Sequence, residues 1–349
     1  MKNINDDSEN LNFSVRTDLA IEATELIISE NEAKSKEETY ENSEDYELDG
    51  IEITEENINE NIKLTKVRIT NEKGEESTGK PIGNYITIES PAMKENDTFT
   101  HEEIIKVLSE NIAELAKLKK MSLILVVGLG NRYVTPDALG PLVISKILVT
   151  RHITESLPEE IDDAVRGVSA ISPGVMGITG IETGEIIKGI CKSIHPDLII
   201  AVDALAARKT ERINSTIQMS DTGISPGSGV GNKRMALNKE TLGIPVIAIG
   251  VPTVVDAATL INDTMDKVLN EMSAKAKKGG EFYKMLQTLD KEEKYNLIYE
   301  ILTPCDGNMF VTPKEVDAVV KRLANIISNS INIALHPAIS KEDINRYFN

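Results

Sequence analysis

Between residues 121 and 256 the chain alternates apolar runs that are typical of buried strands with segments that have helical spacing of apolar residues. Helices are indicated at 137–150, at 180–194 and from about 256 to 277. Alternation of this kind predicts an α/β fold, a three-layer sandwich in which helices flank a mostly parallel sheet. The strand candidates lie at 122–130, 167–173, 197–205, 215–221 and 244–255.

Outside residues 121–256 the hydrophobic pattern predicts helices and a pair of strands that do not alternate regularly. A short helix is expected over 19–27 and a longer amphipathic helix over 101–120. Two alternating strands are expected within 65–90, as a small β excursion from the sheet. Acidity and low hydrophobicity around 30–60 predict a solvated insertion. Residues 19–349 are expected to form a single domain that contains this insertion. The last third is helical in pattern, with Thr312 as an N-cap.

Two of the predicted buried strands end in the same tripeptide, Asp-Ala-Leu. Asp137 follows the run at 122–130 and Asp203 follows the run at 197–202. Open α/β sheets bind their ligands at the carboxyl ends of parallel strands, so these two carboxylates are the candidate catalytic centre. Each could instead cap a helix. A pair brought together cannot easily ionise twice, so one carboxylate could activate water while the other donates a proton.

Charge and composition exclude several classes of function. The formal net charge is −18, and no basic cluster is larger than Lys275, Lys277 and Lys278, which argues against direct nucleic-acid binding. No signal peptide is recognisable and no apolar run approaches the roughly 18 residues of a membrane span. Two cysteines without metal-type spacing favour a reducing intracellular compartment.

Other motifs match known chemistry less well. The glycines of Val126–Asn131 lack the third glycine of a dinucleotide-binding turn, and neither HExxH nor GxSxG occurs. Asp221 begins an Asp-Thr-Gly triplet like that of pepsin-like proteases, but those proteases are all-β, so we interpret it as a chance match. Asp221 still lies between a strand and the Gly-rich loop Pro226–Arg234, whose backbone NH groups, including that of Gly229, could line an anion site.

Five blocks of the chain closely resemble the germination proteases of endospore-forming bacteria. They are GLGNRYVTPDALGP, LIIAVDALAAR, DTGISPGSGVGNKR, IGVPTVVDA and FVTPKEVD, in this order. The resemblance implies an aspartic-type endopeptidase with a fold related to the hydrogenase-maturation peptidases (phosphorylase/hydrolase-like). It implies that Asp137 and Asp203 are catalytic, and that the enzyme is a homotetramer of the spore-core cytoplasm which degrades small acid-soluble spore proteins.

The resemblance also implies that the enzyme is made as an autoprocessed zymogen. SVRTDLAIEA at 14–23 is similar to the family's processing region, where cleavage follows an acidic residue that precedes a bulky aliphatic residue and Ala. The bond on this chain is Asp18–Leu19, so residues 1–18 are expected to be a propeptide. The acidic segment at 30–60 is longer than is usual in the family.

A pocket that accepts an acidic residue before the cut needs a cation. Arg208, five residues after Asp203, and the pair Lys233 and Arg234 beside the Gly-rich loop are the candidates, although they could equally form surface ion pairs. The two-aspartate mechanism needs no cofactor. A carboxylate pair can also hold a divalent cation, so a metal-assisted peptidase related to the hydrogenase-maturation proteases is the alternative.

Overall fold

The computed structural model describes residues 17–37, 49–156, 165–227, 234–275, 301 and 309–337 of the chain. Contacts divide the chain into two compact units. The larger unit comprises 17–255 together with the chain from 312 onwards, and the smaller comprises 1–16 and 256–311.

A mixed β-sheet forms the centre of the larger unit. Its strands are β1 (Ile51–Asn57), β2 (Lys63–Ile69), β3 (Gly83–Glu89), β4 (Leu123–Gly128), β5 (Gly167–Ile171), β6 (Leu198–Ala207), β7 (Thr216–Ser220) and β8 (Val246–Asp256). They follow one another across the sheet in the order β1-β2-β3-β7-β8-β6-β4-β5.

The sheet has a parallel half and an antiparallel half. Strands β8, β6, β4 and β5 pair in parallel, whereas β1, β2, β3, β7 and β8 pair antiparallel. The α/β class is therefore confirmed, but the sheet is mixed rather than mostly parallel. The reason is that the predicted β excursion joins the main sheet, because β3 pairs with β7 from Tyr85↔Ser220 to Glu89↔Thr216. Part of the acidic segment, residues 51–57, forms the edge strand β1.

Helices connect the strands. They are α1 (Ala20–Glu37), α2 (Glu72–Thr78), α3 (Thr98–Ala116), α4 (Leu139–Ile144), α5 (Arg151–Ser156), α6 (Met176–Thr179), α7 (Thr183–Ile194), α8 (Lys239–Leu242), α9 (Ala257–Lys275) and α10 (Val316–Leu335). Helix α9 and the short strand β9 (Phe310–Val311) belong to the smaller unit, where the Ala257 amide donates to the carbonyl of Met309 at 2.9 Å. None of the described helices is long and apolar enough to cross a bilayer.

Alternate residues of the strands pack on opposite faces of the sheet, as a pleated strand requires. On one face, Val126 and Val202 join the large core that α3, α4 and α10 cover. On the other face, Val127 and Ala201 pack with Ile187 of α7. Helix α1 covers the antiparallel half on this second face, through a cluster of Ala20, Ile51, Val67, Ile69 and Tyr85. The result is the predicted three-layer arrangement.

The start of α10 differs from the expectation. Thr312 does not cap the helix, which begins at Val316 with Glu315 as its N-cap residue. The Thr312 hydroxyl instead donates to the carbonyl of Thr253 on β8 at 2.9 Å. A hydroxyl that finds a backbone acceptor in a neighbouring strand is no longer available to the first turn of the helix.

Candidate active site

Asp137 lies in a tight loop that follows β4. The strand ends at Gly128, and Thr135–Asp137 form a single 3-10 turn before α4. The Asp137 carboxylate accepts a hydrogen bond from the Asn131 amide at 2.7 Å. Gly130 has φ +102, and a Cβ there would lie 2.2 Å from the Asp137 carbonyl oxygen. The loop is thus wrapped around Asp137, whose side chain does not cap α4, because the N-cap residue of that helix is Ala138.

Close backbone contacts hold this loop against β6 and β8. A Cβ on Gly140 would lie 2.2 Å from the Leu129 carbonyl oxygen and 2.7 Å from that of Val202, so only glycine fits there. The Leu129 amide donates to the Val202 carbonyl at 2.8 Å. The Thr253 hydroxyl of β8 donates to the carbonyl of Pro136 at 2.7 Å. Asp137 is therefore held at the end of β4, beside the strand that carries Asp203.

Asp203 is a buried residue within β6. The strand continues to Ala207, with a bulge at Leu205 and Ala206, so Asp203 is not at the strand's end as the sequence suggested. It follows Ile199 and Ala201 in the two-residue period, which directs its side chain to the face that α7 and α1 cover. The Ala204 amide donates to its carboxyl group at 2.9 Å. With 6% of its surface exposed, Asp203 has little access to water that would solvate a charge.

The electrostatics of the two aspartates are linked. Burial raises the pKa of Asp137, against the hydrogen bond from Asn131 and the positive charge of Arg234. Burial raises the pKa of Asp203 well above its usual range, and the negative charges of Asp137 and Asp18 raise it further. Arg234 acts in the opposite direction on Asp203 as well. Asp137, Asp18 and Arg234 therefore lie close enough to Asp203 to affect its pKa, and Asp203 is the member of the pair that keeps its proton to higher pH.

The expected cleavage point, Asp18–Leu19, lies in the same region. The Asp18 amide donates to the Ala206 carbonyl at 3.0 Å, and the Asp18 carboxylate accepts from the Ala206 amide at 2.9 Å. Leu19 is fully buried, and the Leu19 amide donates to the Thr17 hydroxyl at 3.1 Å. The bond is thus held against β6, three residues beyond Asp203.

The residues just after this bond anchor α1. Glu22 is buried and accepts hydrogen bonds from the backbone amides of Arg208 at 2.7 Å and Lys209 at 2.9 Å. Arg212 makes ion pairs with Glu25 at 2.7 Å and with Glu89 at 2.7 Å, and lies 3.5 Å from Glu22. The start of the helix is therefore tied to the segment that follows β6.

The remaining predicted substrate-binding residues are dispersed. Arg234 is close to both aspartates, as its effect on their pKa values requires. Arg208 lies beside the anchor of α1. Asp221 accepts two hydrogen bonds from Asn84, at 2.8 Å from its amide and 2.6 Å from its side chain, which is a strand-to-strand contact between β3 and the end of β7. Gly229 and Lys233 lie outside the described residues.

Two polar residues near Asp18 were not found from the sequence. The Lys80 ammonium donates to the carbonyl oxygens of Thr17 and Asp18, both at 3.1 Å. The Gln218 side chain donates to the Asp18 carbonyl at 3.3 Å and accepts from the Ala20 amide at 2.6 Å. Lys80 stands in a polar connection with no motif. Gln218 carries one signal, since it interrupts a strand whose neighbours Ile217 and Met219 are apolar.

No group of three or more His, Cys, Asp or Glu side chains in the described part of the chain is arranged to hold a metal ion. His336, a buried histidine, hydrogen-bonds to the carbonyl of Leu148 at 3.4 Å, and burial lowers its pKa to about 4. Cys191 is a buried core residue of α7.

Asp137 in the loop after β4 and Asp203 within β6, both with raised pKa values, define a candidate acid–base site in an α/β protein. The family model described as germination protease matches residues 20–286 and 270–348. The chain belongs to the germination protease family, and it is accordingly related to peptidases.

Curated relatives match the chain over almost its whole length. The germination protease of Clostridium tetani is 53% identical over 337 residues, which is 97% of this chain and 100% of that protein. That of Caldanaerobacter subterraneus is 51% identical, over 96% and 98% of the two chains. That of Bacillus cereus is 44% identical, over 96% and 97%.

A solved structure is similar at a lower level. A [NiFe] hydrogenase maturation protease from Thermococcus kodakarensis is 18% identical, with a TM-score of 0.31, over 63% of this chain and 98% of its own. A likeness this weak carries no argument about the site of this chain.

Proposed function

We propose that this chain is an aspartic-type endopeptidase that begins the degradation of small acid-soluble spore proteins during germination. It is made as a zymogen, removes residues 1–18 by cutting its own Asp18–Leu19 bond, and works as a homotetramer in the spore-core cytoplasm. It acts on protein and not directly on nucleic acid. Membership of the germination protease family and the sequence around Asp18 support this proposal.

One observation carries the chemistry: the buried Asp203 carboxyl lies within electrostatic reach of both Asp137 and Asp18. Because Asp203 keeps its proton to higher pH than Asp137, the pair can supply one base and one acid at the same time. Asp137 is the base, since burial raises its pKa less than that of Asp203 and the Asn131 amide favours its ionised form.

The proposed reaction proceeds in two steps. Asp137 takes a proton from water, and the water oxygen adds to the carbonyl carbon while the π electrons move to the carbonyl oxygen. Asp203 then gives its proton to the leaving nitrogen, the carbonyl re-forms and the C–N bond breaks. A proton returns from Asp137 to Asp203, directly or through water, which restores the starting state.

Separate Asp137→Asn and Asp203→Asn variants test this function. Self-cleavage at Asp18–Leu19 is followed by intact mass, and digestion of a purified small acid-soluble spore protein by gel. Each variant is expected to lose both activities, since asparagine can neither accept nor donate the proton. The spore protein digest also tests the substrate, and light scattering tests the tetramer.

Asp197→Asn is the matched control. Asp197 precedes β6 at the opposite end of the strand and accepts a hydrogen bond from the Leu123 amide at 2.8 Å. This variant is expected to keep full activity. A folded Asp137→Asn or Asp203→Asn protein with wild-type activity would show that the aspartate pair is not the catalytic centre.

A further inference from the structure

The carbonyl oxygen of Asp18 is bound by two side chains from distant parts of the larger unit. Lys80 precedes β3 and donates to it at 3.1 Å, and Gln218 of β7 donates to it at 3.3 Å. This is the carbonyl of the bond that the proposed function would cut. A peptide carbonyl next to a helix start has water or the first turn available to it, so two long-range donors need a reason.

Gln218 is a buried residue of β7. Its neighbours Ile217 and Met219 belong to the large hydrophobic cluster, while Gln218 has the opposite orientation, towards the face that α1 covers. A buried amide is costly unless it is bonded. Both ends of this amide bond to the chain around the cleavage point, the oxygen to the Ala20 amide at 2.6 Å and the nitrogen to the Asp18 carbonyl.

Lys80 brings a positive charge to the same oxygen. The residue as a whole is half-buried, but its ammonium group is desolvated, so burial lowers the pKa of Lys80 while the charges of Asp18 and Glu22 act against that shift. Lys80 also donates to the Thr17 carbonyl at 3.1 Å. Lys80 therefore binds two successive carbonyl oxygens and holds the backbone that precedes the Asp18–Leu19 bond.

We propose that Lys80 and Gln218 are the oxyanion-binding residues of this peptidase. The inference rests on the proposed function and deepens it. When water adds to the carbonyl carbon of residue 18, the π electrons move to the carbonyl oxygen, and the resulting oxyanion is held by the Lys80 ammonium and the Gln218 amide. On collapse, the electrons return, the C–N bond breaks, and the proton from Asp203 goes to the leaving nitrogen.

The placement of the donors fits that step. Asp203 and Gln218 both project to the face of the sheet that carries α1, and the Asp18 charge is felt by Asp203. The two donors therefore bind the carbonyl of the residue whose charge acts on the proposed acid. Lys80 and Gln218 bond to the backbone carbonyl of Asp18, whereas the Ala206 amide contacts its acidic side chain.

Self-cleavage of the full chain provides the test, with its first-order rate constant measured by intact mass. Lys80→Met keeps the stem and removes the charge, and Lys80→Arg restores a cationic donor. Gln218→Glu keeps an oxygen for the Ala20 amide but replaces the donor to the carbonyl. Lys73→Met is the matched control, because Lys73 is an exposed lysine of α2 that pairs with Asp49. Thermal unfolding of every variant is measured in parallel.

We expect Lys80→Met and Gln218→Glu each to slow self-cleavage by about 100-fold or more, the usual effect of losing one oxyanion donor. Lys80→Arg should recover part of the rate, and Lys73→Met should match the wild type. Wild-type rates in Lys80→Met and Gln218→Glu, with Asp203→Asn inactive, would overturn this inference and leave the proposed function standing. Equal loss in Lys80→Met and Lys80→Arg, with unfolding temperatures lowered alike, would also overturn it, because the role would then be structural.

Discussion

Asp18 and Ala206 hydrogen-bond to each other in both directions, through the Asp18 amide and through the Asp18 carboxylate. A backbone amide that donates to a carboxylate selects for an acidic side chain without a cationic pocket. This contact supplies an alternative to the arginine and lysine residues that the sequence suggested for recognition of the residue before the cut.

The Asp18→Ala variant tests that recognition. We expect slower self-cleavage at position 18, by about 10-fold or more, because a charge-assisted hydrogen bond is typically worth roughly 1.5–3 kcal/mol. Asp18→Glu should retain more activity than Asp18→Ala. Rate constants of self-cleavage, measured by mass spectrometry, provide the test. Equal rates for wild type, Asp18→Ala and Asp18→Glu would show that the Ala206 contact does not select an acidic residue.

The pH dependence of self-cleavage follows from the raised pKa values of both aspartates. Activity should rise with pH as Asp137 ionises and fall as Asp203 loses its proton, giving a bell-shaped profile displaced to higher pH than two ordinary carboxyl groups would give. Because the pair is coupled, the two limbs report the pair and not single residues.

Arg234→Met is expected to shift that pH profile to higher pH. Arg234 lowers the pKa of both Asp137 and Asp203, so its removal should move both limbs to higher pH. Rates measured at half-unit intervals for wild type and variant give the comparison. Lys239→Met, at a lysine of α8, is the control. An unchanged profile in Arg234→Met would contradict the placement of this arginine.

Asp203 is expected to cost stability at neutral pH. A carboxyl group whose pKa is raised on folding binds its proton more tightly in the native state, so its contribution is present below its unfolded pKa and lost as pH rises through its folded pKa. Asp203→Asn removes that dependence. The unfolding temperature of Asp203→Asn relative to wild type should therefore increase as the pH rises above the usual pKa range of a carboxyl group. A difference that stays constant with pH would argue against a buried proton on Asp203.

The two-aspartate mechanism also makes a prediction about metal ions. Self-cleavage should proceed at the same rate with and without a chelator such as EDTA, because the proposed base and acid are both side chains. Dialysis against the chelator before the assay, followed by readdition of divalent cations, provides the measurement. Loss of activity that a cation restores would favour the metal-assisted alternative.

Strong local patterns predicted much of this molecule. The apolar runs at β4, β6 and β8 located the parallel half of the sheet, and the acids that follow Gly130 and Val202 located the aspartate pair. The sequence predicts Asp203 at a strand's end because it directly follows the apolar run at 198–202. The structure continues β6 beyond Asp203, since Leu205 to Ala207 pair with β8 across a bulge.

The contacts around Asp18 could not be predicted in the same way. Lys80 and Gln218 meet the Asp18 carbonyl because β3 joins β7 antiparallel, which brings together residues separated by 62 and 200 positions from Asp18. Such pairing leaves no local periodicity. The role of Glu22 could not be predicted either. A single acidic residue in a helix gives no sign that it will accept hydrogen bonds from the amides of Arg208 and Lys209.

The intrachain bonds to Asp18 determine the molecularity of the proposed activation. Reacting groups held within one chain face each other at a high effective concentration, so the half-time of self-cleavage should not change when the protein is diluted. Leu19 and Glu22 are buried at the start of α1, on the far side of the bond from the fragment that ends at Asp18. Departure of that fragment would free the Ala206 amide for the acidic residue of another protein, so that in the proposed activation each molecule is its own first substrate.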